Sequence, residues 1–551
     1  MEVFKLIYSV LGGLGIFFYG MKNMSEALQS VAGDVVKNTI NKITTNRFSA
    51  VIVGTLVTIF VQSSSVTTVM TVGFVNAGLM NLGQAIGVIL GANIGTTVTG
   101  WIISIKVGKY GLLFIGLGIF PLLFAKTNRY RQIGRILFSV GMIFFGLSIM
   151  SNAFKPLRTM PEFLSMISYF SEQNYGAYFA CIIVGCILTV VIQSSSAMLG
   201  ITIALAGSGV IQFHTAAALV LGENIGTTIT ALLASVGANI TAKRAARAHA
   251  IFNLLGVLVI FLFFPFYVEF IDYLVPGAAN AVNADGDFIN VAVHIATGHT
   301  IFNVAATIIF IPFLTQLANF VTRITPATGE KEQHHLVMLG DPSQMVTAAA
   351  LAQAQAEVNK MKDIVSRLYA LAEEIYIKQN FGEREKIALK AKDYERITDN
   401  IQKEVTIFIV KLMVNPLSED ESRRSQSMIK EVDELESIAD YIERLIAYSD
   451  RGDISKLMRD EAKKDFDDLF VNVKAFYDSV SNQISLDKVD YSVAERKSKE
   501  LRDQAEQIRK KHLDRVSSGE YDALGALTYS DMIVALRKIR SHTENAAQAH
   551  V

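Results

Sequence analysis

Two stretches of this chain contain no Asp, Glu, Lys or Arg: the residues between Arg47 and Lys106, and those between Glu172 and Glu223. A water-soluble domain has no use for runs of that length, because its elements need a polar outer face. A bilayer demands them, at about 20 apolar residues per spanning helix. Lys5 precedes an apolar segment, as in a signal peptide, but Gly12 to Met21 lacks a small-x-small cleavage site and reads as a first span. Charge then divides the chain. Through Pro326 there are 17 Lys and Arg against 10 Asp and Glu, and subtraction from the totals of 51 and 51 leaves 34 against 41 for the rest. The neutral total conceals a basic apolar body and an acidic polar one. Cys181 and Cys186 both lie in an apolar run and read as inert core thiols.

The apolar body repeats itself. Gln62-Ser63-Ser64-Ser65 recurs as Gln193-Ser194-Ser195-Ser196, an offset of 131. Gly91-Ala92-Asn93-Ile94-Gly95-Thr96-Thr97 recurs at the same offset as Gly222-Glu223-Asn224-Ile225-Gly226-Thr227-Thr228. A weaker match sets Gly15, Gly20, Met24 and Ser25 against Gly141, Gly146, Met150 and Ser151, at an offset of 126.

Loop charge gives an orientation, since Lys and Arg gather on the cytoplasmic side. The main cationic segments are Lys22–Arg47, Lys126–Arg135, Lys243–Arg247 and the residues after Arg323, whereas Pro276–Asn290 has Asp285 and Asp287 and no cation. Residues 50–78 and 176–206 are each too long for one span and polar near the middle. If each is a re-entrant hairpin with its Ser cluster at the tip, all five assignments agree, the first hairpin entering from the cytoplasm and the second from outside. Lys106 with Lys109, and Lys155 with Arg158, then face outward against the rule. The expected fold is all-α: two inverted repeats of three spans plus a hairpin, and a final span. Residues 1–135 form the first repeat, 136–325 the second with the final span, 326–344 a linker and 345–551 a soluble helical bundle. The bundle should have six amphipathic helices, with breaks near Phe381-Gly382, Asn415-Pro416, Arg451-Gly452, Leu486-Asp487 and Ser518-Gly519.

In lipid an unpaired backbone amide costs several kcal/mol, so a broken helix survives where it lines a cavity or is buried in protein. Its N-terminal N–H groups suit an anion, and hydroxyl and carbonyl oxygens suit a dehydrated Na⁺. Gln62, Ser63, Ser64, Ser65, Gln193, Ser194, Ser195 and Ser196 are therefore candidate substrate ligands. Asn93, Thr96, Thr97, Glu223, Asn224, Thr227 and Thr228 are candidates for the coupling ion. Glu223, standing where the first copy has Ala92, is a functional candidate because an ionisable group at membrane depth is expensive. His249, His294 and His299 read as packing side chains, although His249-Ala-Ile-Phe-Asn253 and His299-Thr-Ile-Phe-Asn303 are similar strings. In the tail, Glu395-Arg-Ile-Thr-Asp399 and Glu436-Ser-Ile-Ala-Asp440 each put two carboxylates on one helical face, a pattern open to a hard di- or trivalent metal or to plain solvation.

The paired Gln-Ser-Ser-Ser and Gly-x-Asn-Ile-Gly-Thr-Thr strings resemble the type II sodium/phosphate cotransporter family, over roughly residues 5–320. From about residue 345 the chain resembles a PhoU domain, a six-helix regulatory module that binds metal at Glu-x-x-x-Asp motifs. It departs from that pattern at Arg537-Lys-Ile-Arg-Ser541, where Arg and Ser replace acids, leaving only the cluster of Glu395, Asp399, Glu436 and Asp440. The resemblance implies symport of inorganic phosphate with Na⁺ through the cell membrane, with the tail cytoplasmic. A site without fixed cations suits that coupling, because co-bound Na⁺ offsets the anion's charge. A membrane phosphate sensor, and a Na⁺-coupled carrier of another oxyanion or small carboxylate, are the competing readings. No nucleophile–base set, Walker loop or nucleotide fingerprint is present, so neither an enzyme nor an ATP-driven pump is expected. The partners are the bilayer and phosphate, with no nucleic acid; oligomeric state, homo-oligomer included, is open.

Overall fold

The computed structural model describes residues 2–41, 46–76, 78–105, 110–236, 238–326, 347–414, 417–451, 457–458, 460–486, 488–520 and 522–551. The expected linker, Lys106 with Lys109, and the breaks at Asn415-Pro416, Gly452 and Asp487 lie outside these residues, wholly or for the most part. Among the described residues no strand forms, and one isolated bridge joins Val282 to Phe288. The chain divides into a membrane body and a tail.

The membrane body opens with α1 (Glu2–Asn41), α2 (Arg47–Val61), α3 (Ser64–Asn76), α4 (Leu82–Ser104), α5 (Gly111–Phe124) and α6 (Asn128–Phe154). After a short α7 (Pro161–Ser168) come α8 (Tyr175–Ile192), α9 (Ser195–Gly207), α10 (Phe213–Gly226) and α11 (Thr228–Ala234). It closes with α12 (Ile240–Leu262), α13 (Phe264–Leu274), α14 (Val291–Phe310) and α15 (Leu314–Ile324). Seven helices among the described residues are long and apolar enough to cross a membrane, α8 among them. Asparagine starts several, its side chain accepting a backbone N–H at Asn46, Asn81, Asn174 and Asn239. Lys22 stands inside α1 rather than in a loop.

Glycine sets the central packing. A Cβ on Gly54 would lie 2.0 Å from the Val88 carbonyl oxygen, and one on Gly91 would lie 1.9 Å from that of Val51. The same contacts recur 131 residues on, Gly185 against Leu219 (2.2 Å) and Gly222 against Ile182 (2.0 Å). Only a missing side chain lets two backbones approach so closely. Along the same seams Gly87 abuts Ala50 and Gly95 abuts Thr58, while Gly222 abuts Ile182 and Gly226 abuts Thr189, so α2 runs parallel to α4 and α8 parallel to α10. A parallel pair joined by a short connection requires the helix between to run back, so α2–α3 and α8–α9 are hairpins. At about 1.5 Å per residue the 15 residues of α2 reach roughly 22 Å, short of the ~30 Å hydrocarbon layer.

The open ends of the two hairpins lie with oppositely charged segments. Asn239, capping α12 just before Lys243, Arg244 and Arg247, bonds Asn76 at the end of the first hairpin (2.8 Å). The second ends against the acidic loop: Phe288 N–H donates to the Gly207 carbonyl (3.2 Å) and Phe213 N–H to Asn280 Oδ1 (2.9 Å). The run α12–α13 leads from one end to the other. Lys155 meets Asp287 (2.8 Å), which Arg158 also pairs, while Arg158 donates to the Asp285 carbonyl (3.0 Å). These two cations are neutralised by the segment they face, which relieves their conflict with the charge rule.

The expected tally of spans differs in one respect. Helix α5 has 14 residues, containing Pro121, and is too short for a full third span of the first repeat. Instead α12–α13 matches α14–α15 at an offset of 50, so the helix expected as the extra final span has a counterpart. Buried Phe264, Tyr267 and Ile271 stand where α15 has buried Leu314, Leu317 and Val321. Helices α1 and α6 pack antiparallel and reciprocally: Gly146 abuts the Gly13 carbonyl (2.6 Å to its Cβ position), and Gly20 abuts that of Ser139 (2.9 Å).

The tail consists of α16 (Thr347–Tyr376), α17 (Arg384–Leu412), α18 (Glu419–Ala447), α19 (Asp460–Ser485), α20 (Tyr491–Ser517) and α21 (Ala523–Gln548). Each amphipathic helix buries one stripe. Tyr369, Tyr376, Phe466 and Phe470 form an aromatic seam between α16 and α19. Beneath it a buried ion pair joins Lys362 of α16 to Glu431 of α18 (2.7 Å), and His550 Nε2 lies 3.0 Å from the same carboxylate.

Candidate functional site

Both hairpin tips have one geometry. Gln62 and Gln193 adopt left-handed backbone angles (φ 55° and 57°), and each N–H donates back to a threonine carbonyl, Thr58 or Thr189, at 2.7 Å. The next residue caps the returning helix: Ser63 Oγ accepts from Val66 N–H (3.2 Å) and Ser194 Oγ from Ala197 N–H (3.3 Å). This leaves Ser64, Ser65, Ser195 and Ser196 on the first turns of α3 and α9, at the positive end of each helix. Their hydroxyls make no hydrogen bond among the described residues and are free to donate. Gln62 is buried, its Oε1 accepting from Thr99 (3.0 Å), whereas Gln193 is exposed. Thr68 Oγ1 is buried without a partner.

In the Gly-x-Asn-Ile-Gly-Thr-Thr segments the hydroxyls are committed the other way. Thr96 donates to the Ala92 carbonyl (3.1 Å) and Thr97 to that of Ile94 (2.8 Å). Thr227 and Thr228 donate to Glu223 and Ile225 carbonyls (both 2.8 Å). With their hydrogens turned to the helix, these oxygens offer lone pairs outward. Tips rich in free donors suit an anion, and threonines with spent donors suit a cation.

The two segments join their hairpins differently. Thr202 on α9 donates to Glu223 Oε1 (2.9 Å), and Glu223 is 2 % exposed with no cationic partner among the described residues. Its first-copy counterpart is Ala92. Helix α4 runs through the motif unbroken, while the second copy is interrupted at Thr227, between α10 and α11. The C-terminal part of α4 packs on α9 and α11 packs on α3, so each motif helix reaches the opposite hairpin.

Sequence reasoning set the histidine strings aside as packing, and the structure brings them to the motifs. Asn93 Nδ2 donates to Asn253 Oδ1 (3.0 Å), and His249 Nε2 to Asn93 Oδ1 (3.3 Å). On the other side Asn303 Nδ2 donates to Asn224 Oδ1 (3.4 Å). The signal that could have found them was their mutual similarity at an offset of 50. His294 is held by the Asn290 carbonyl (2.9 Å) and lies 3.2 Å from Asp272.

The metal expectation in the tail is not met. Glu395, Asp399, Glu436 and Asp440 lie close enough that burial and their neighbours' charges raise the pKa of Glu395 and of Glu436 from its ordinary value. Yet among the described residues no three Asp, Glu, His or Cys side chains converge as metal ligands. Asp399 and Asp440 turn to cations one helical turn on, Lys403 (2.7 Å) and Arg444 (2.7 Å).

A family model described as Na⁺/Pi-cotransporter matches residues 16–152 and 165–269. A Bacillus subtilis protein, YqeW, itself uncharacterized, is 31 % identical over 314 residues, 56 % of this chain and 95 % of its own. The Salmonella typhimurium protein YjbB, provisionally named an inorganic phosphate export protein, is 26 % identical over 79 % of this chain and 76 % of its own. Rat sodium-dependent phosphate transport protein 2A is 41 % identical over 100 residues, 17 % of this chain and 15 % of its own. No solved structure matches. The chain belongs to the Na⁺/Pi-cotransporter family, and is a multi-pass membrane protein.

Proposed function

We propose that this chain is a secondary transporter of inorganic phosphate coupled to Na⁺, working by alternating access between two inverted halves of the membrane body. The observation that carries the reading is the opposite commitment of hydroxyls at two duplicated motifs. Free donors at helix N-termini, on Ser64, Ser65, Ser195 and Ser196, would take phosphate. Acceptor-facing Asn93, Thr96, Thr97, Asn224, Thr227 and Thr228, with the carboxylate of Glu223, would take the coupling cation, as at the broken helices of other secondary transporters. Hairpins whose open ends lie with oppositely charged segments, and the reciprocal antiparallel packing of α1 on α6, support inversion. The positive segments support a cytoplasmic tail, where a PhoU-like domain would adjust transport rather than perform it. A relative named for phosphate export aligns over 441 residues, beyond the membrane body, so outward flux against an inward Na⁺ gradient stands as a second direction to measure.

Purified full-length protein in liposomes tests this. Labelled phosphate should move down an imposed Na⁺ gradient in either orientation, with little flux when K⁺ replaces Na⁺. Equal flux in both salts removes the coupling, and no flux with an active, folded protein removes the substrate.

A further inference from the structure

The two asparagine pairs are built from matching parts but wired in opposite directions. In the first, Asn253 Nδ2 donates to the His249 carbonyl (3.0 Å), while its Oδ1 accepts from Asn93. In the second, Asn303 Nδ2 likewise donates to the His299 carbonyl (2.9 Å). Asn224, however, spends its own amide N–H on the Val220 carbonyl (2.8 Å) and presents an oxygen to Asn303 instead. Among the described residues Asn303 Oδ1 is consequently left without a hydrogen bond, in a side chain 0 % exposed. An unpaired amide oxygen at such depth is unfavourable, and a hard monovalent cation is a chemical partner that satisfies it without a proton donor. The neighbouring groups agree: Asn224 also offers an amide oxygen, and the residue before it is Glu223, whose carboxyl oxygens have one hydroxyl partner, Thr202, among the described residues. The first pair lacks both features, having Ala92 and a satisfied Asn253.

We propose that Asn303 is a further residue of the coupling-cation site, an amide oxygen ligand beside Asn224, and that Asn253 is its counterpart that only positions Asn93. This rests on the Na⁺-coupled reading above. The site takes Na⁺ through neutral oxygens from α14 and α10, so the second half of the membrane body binds the ion more tightly than the first.

The test uses full-length protein carrying Asn303→Leu, Asn303→Asp or Asn253→Leu, with two readouts: binding of radioactive Na⁺ in detergent, and the Na⁺ half-saturation of phosphate flux in liposomes. Asn303→Leu should weaken Na⁺ in both by about tenfold or more, leaving the phosphate KM at saturating Na⁺ unchanged. Asn303→Asp, which keeps the oxygen, should stay within a few-fold of wild type and holds the test open should Asn303→Leu not fold. Asn253→Leu should lower the maximal rate and leave the Na⁺ half-saturation within about twofold. Wild-type Na⁺ affinity in folded Asn303→Leu, loss of Na⁺ binding in folded Asn303→Asp, or equal Na⁺ shifts at 253 and 303 overturns the assignment alone. Absence of any Na⁺ response in the wild type overturns the coupling reading, and this one with it.

Discussion

The membrane body and the tail bury polarity in opposite ways. Inside the tail, full charges are buried and paired: Lys362 with Glu431, and Arg515 with Asp465 (2.5 Å). Inside the membrane body the buried polar groups among the described residues are mainly hydroxyls and amides, bonded largely to their own helices, with four histidines among them. Its one deeply buried acid among the described residues, Glu223, has no cationic partner there. The bodies are also held differently, the first by backbone contact at glycine and the second by aromatic side chains. A buried charge with a partner is explained by the fold around it; one without a partner asks for something the fold does not supply.

The largest test of that contrast is steric. Gly91→Ala and Gly222→Ala each drive a Cβ into a carbonyl oxygen at 2 Å or less, where Gly382→Ala in the tail meets nothing within 4 Å. The first two should lose folded protein on size-exclusion, at or beyond the roughly 1–3 kcal/mol of ordinary overpacking, and equally if the copies are equivalent. Gly382→Ala should be silent.

Next come the two buried acids. Glu431→Gln strands Lys362 and should destabilise the tail by about 3–5 kcal/mol in a thermal melt. Glu223→Gln strands no cation, so the melting temperature should hold while Na⁺ dependence of flux changes. A large loss of stability in Glu223→Gln would make it structural. Smaller again, Ser64→Ala and Ser195→Ala should each weaken phosphate by roughly 10- to 100-fold, the value of about 1.5–3 kcal/mol for a hydrogen bond to a charged group. Wild-type phosphate half-saturation in both variants removes the tips from the site.

The smallest effect is one of pH. Burial and neighbouring acids raise Glu395, so ionising it opposes folding: the tail gains stability as pH falls below the raised value and loses it as pH climbs through it. Glu431 runs the other way; burial alone would raise it, but His550 and Lys362 bring it below the ordinary value, so its contribution fades in acid. Glu395→Gln should slightly raise the melting temperature at neutral pH and lose that gain in mild acid. A gain that persists in acid would point to packing instead of charge.

Much of this was legible in the sequence because the information was local. Uncharged runs, the repeat at 131, and Ser clusters too polar for mid-span placed the hairpins and the motifs before any coordinates. Two of the tail's helix breaks, at Phe381-Gly382 and Ser518-Gly519, were legible from glycine in the same way. What escaped was relational. Nothing near His249 or His299 reveals that Asn253 meets Asn93, 160 residues away, or that Asn303 meets Asn224. The four tail acids failed for a similar reason, since i, i+4 spacing reports a shared face and not which cation one turn along will claim it.

The reciprocal seam between α1 and α6 has an evolutionary reading. A contact in which Gly146 meets residue 13 while Gly20, its counterpart, meets residue 139 is what two identical chains produce about a dyad. Within a single polypeptide it is the arrangement that fusion of a homodimer would leave. A half-length ancestor inserted in both orientations would have had to keep every substitution on both sides of that axis at once. In a fused chain that constraint is gone, and an acid can stand in one copy opposite alanine in the other, as Glu223 does opposite Ala92.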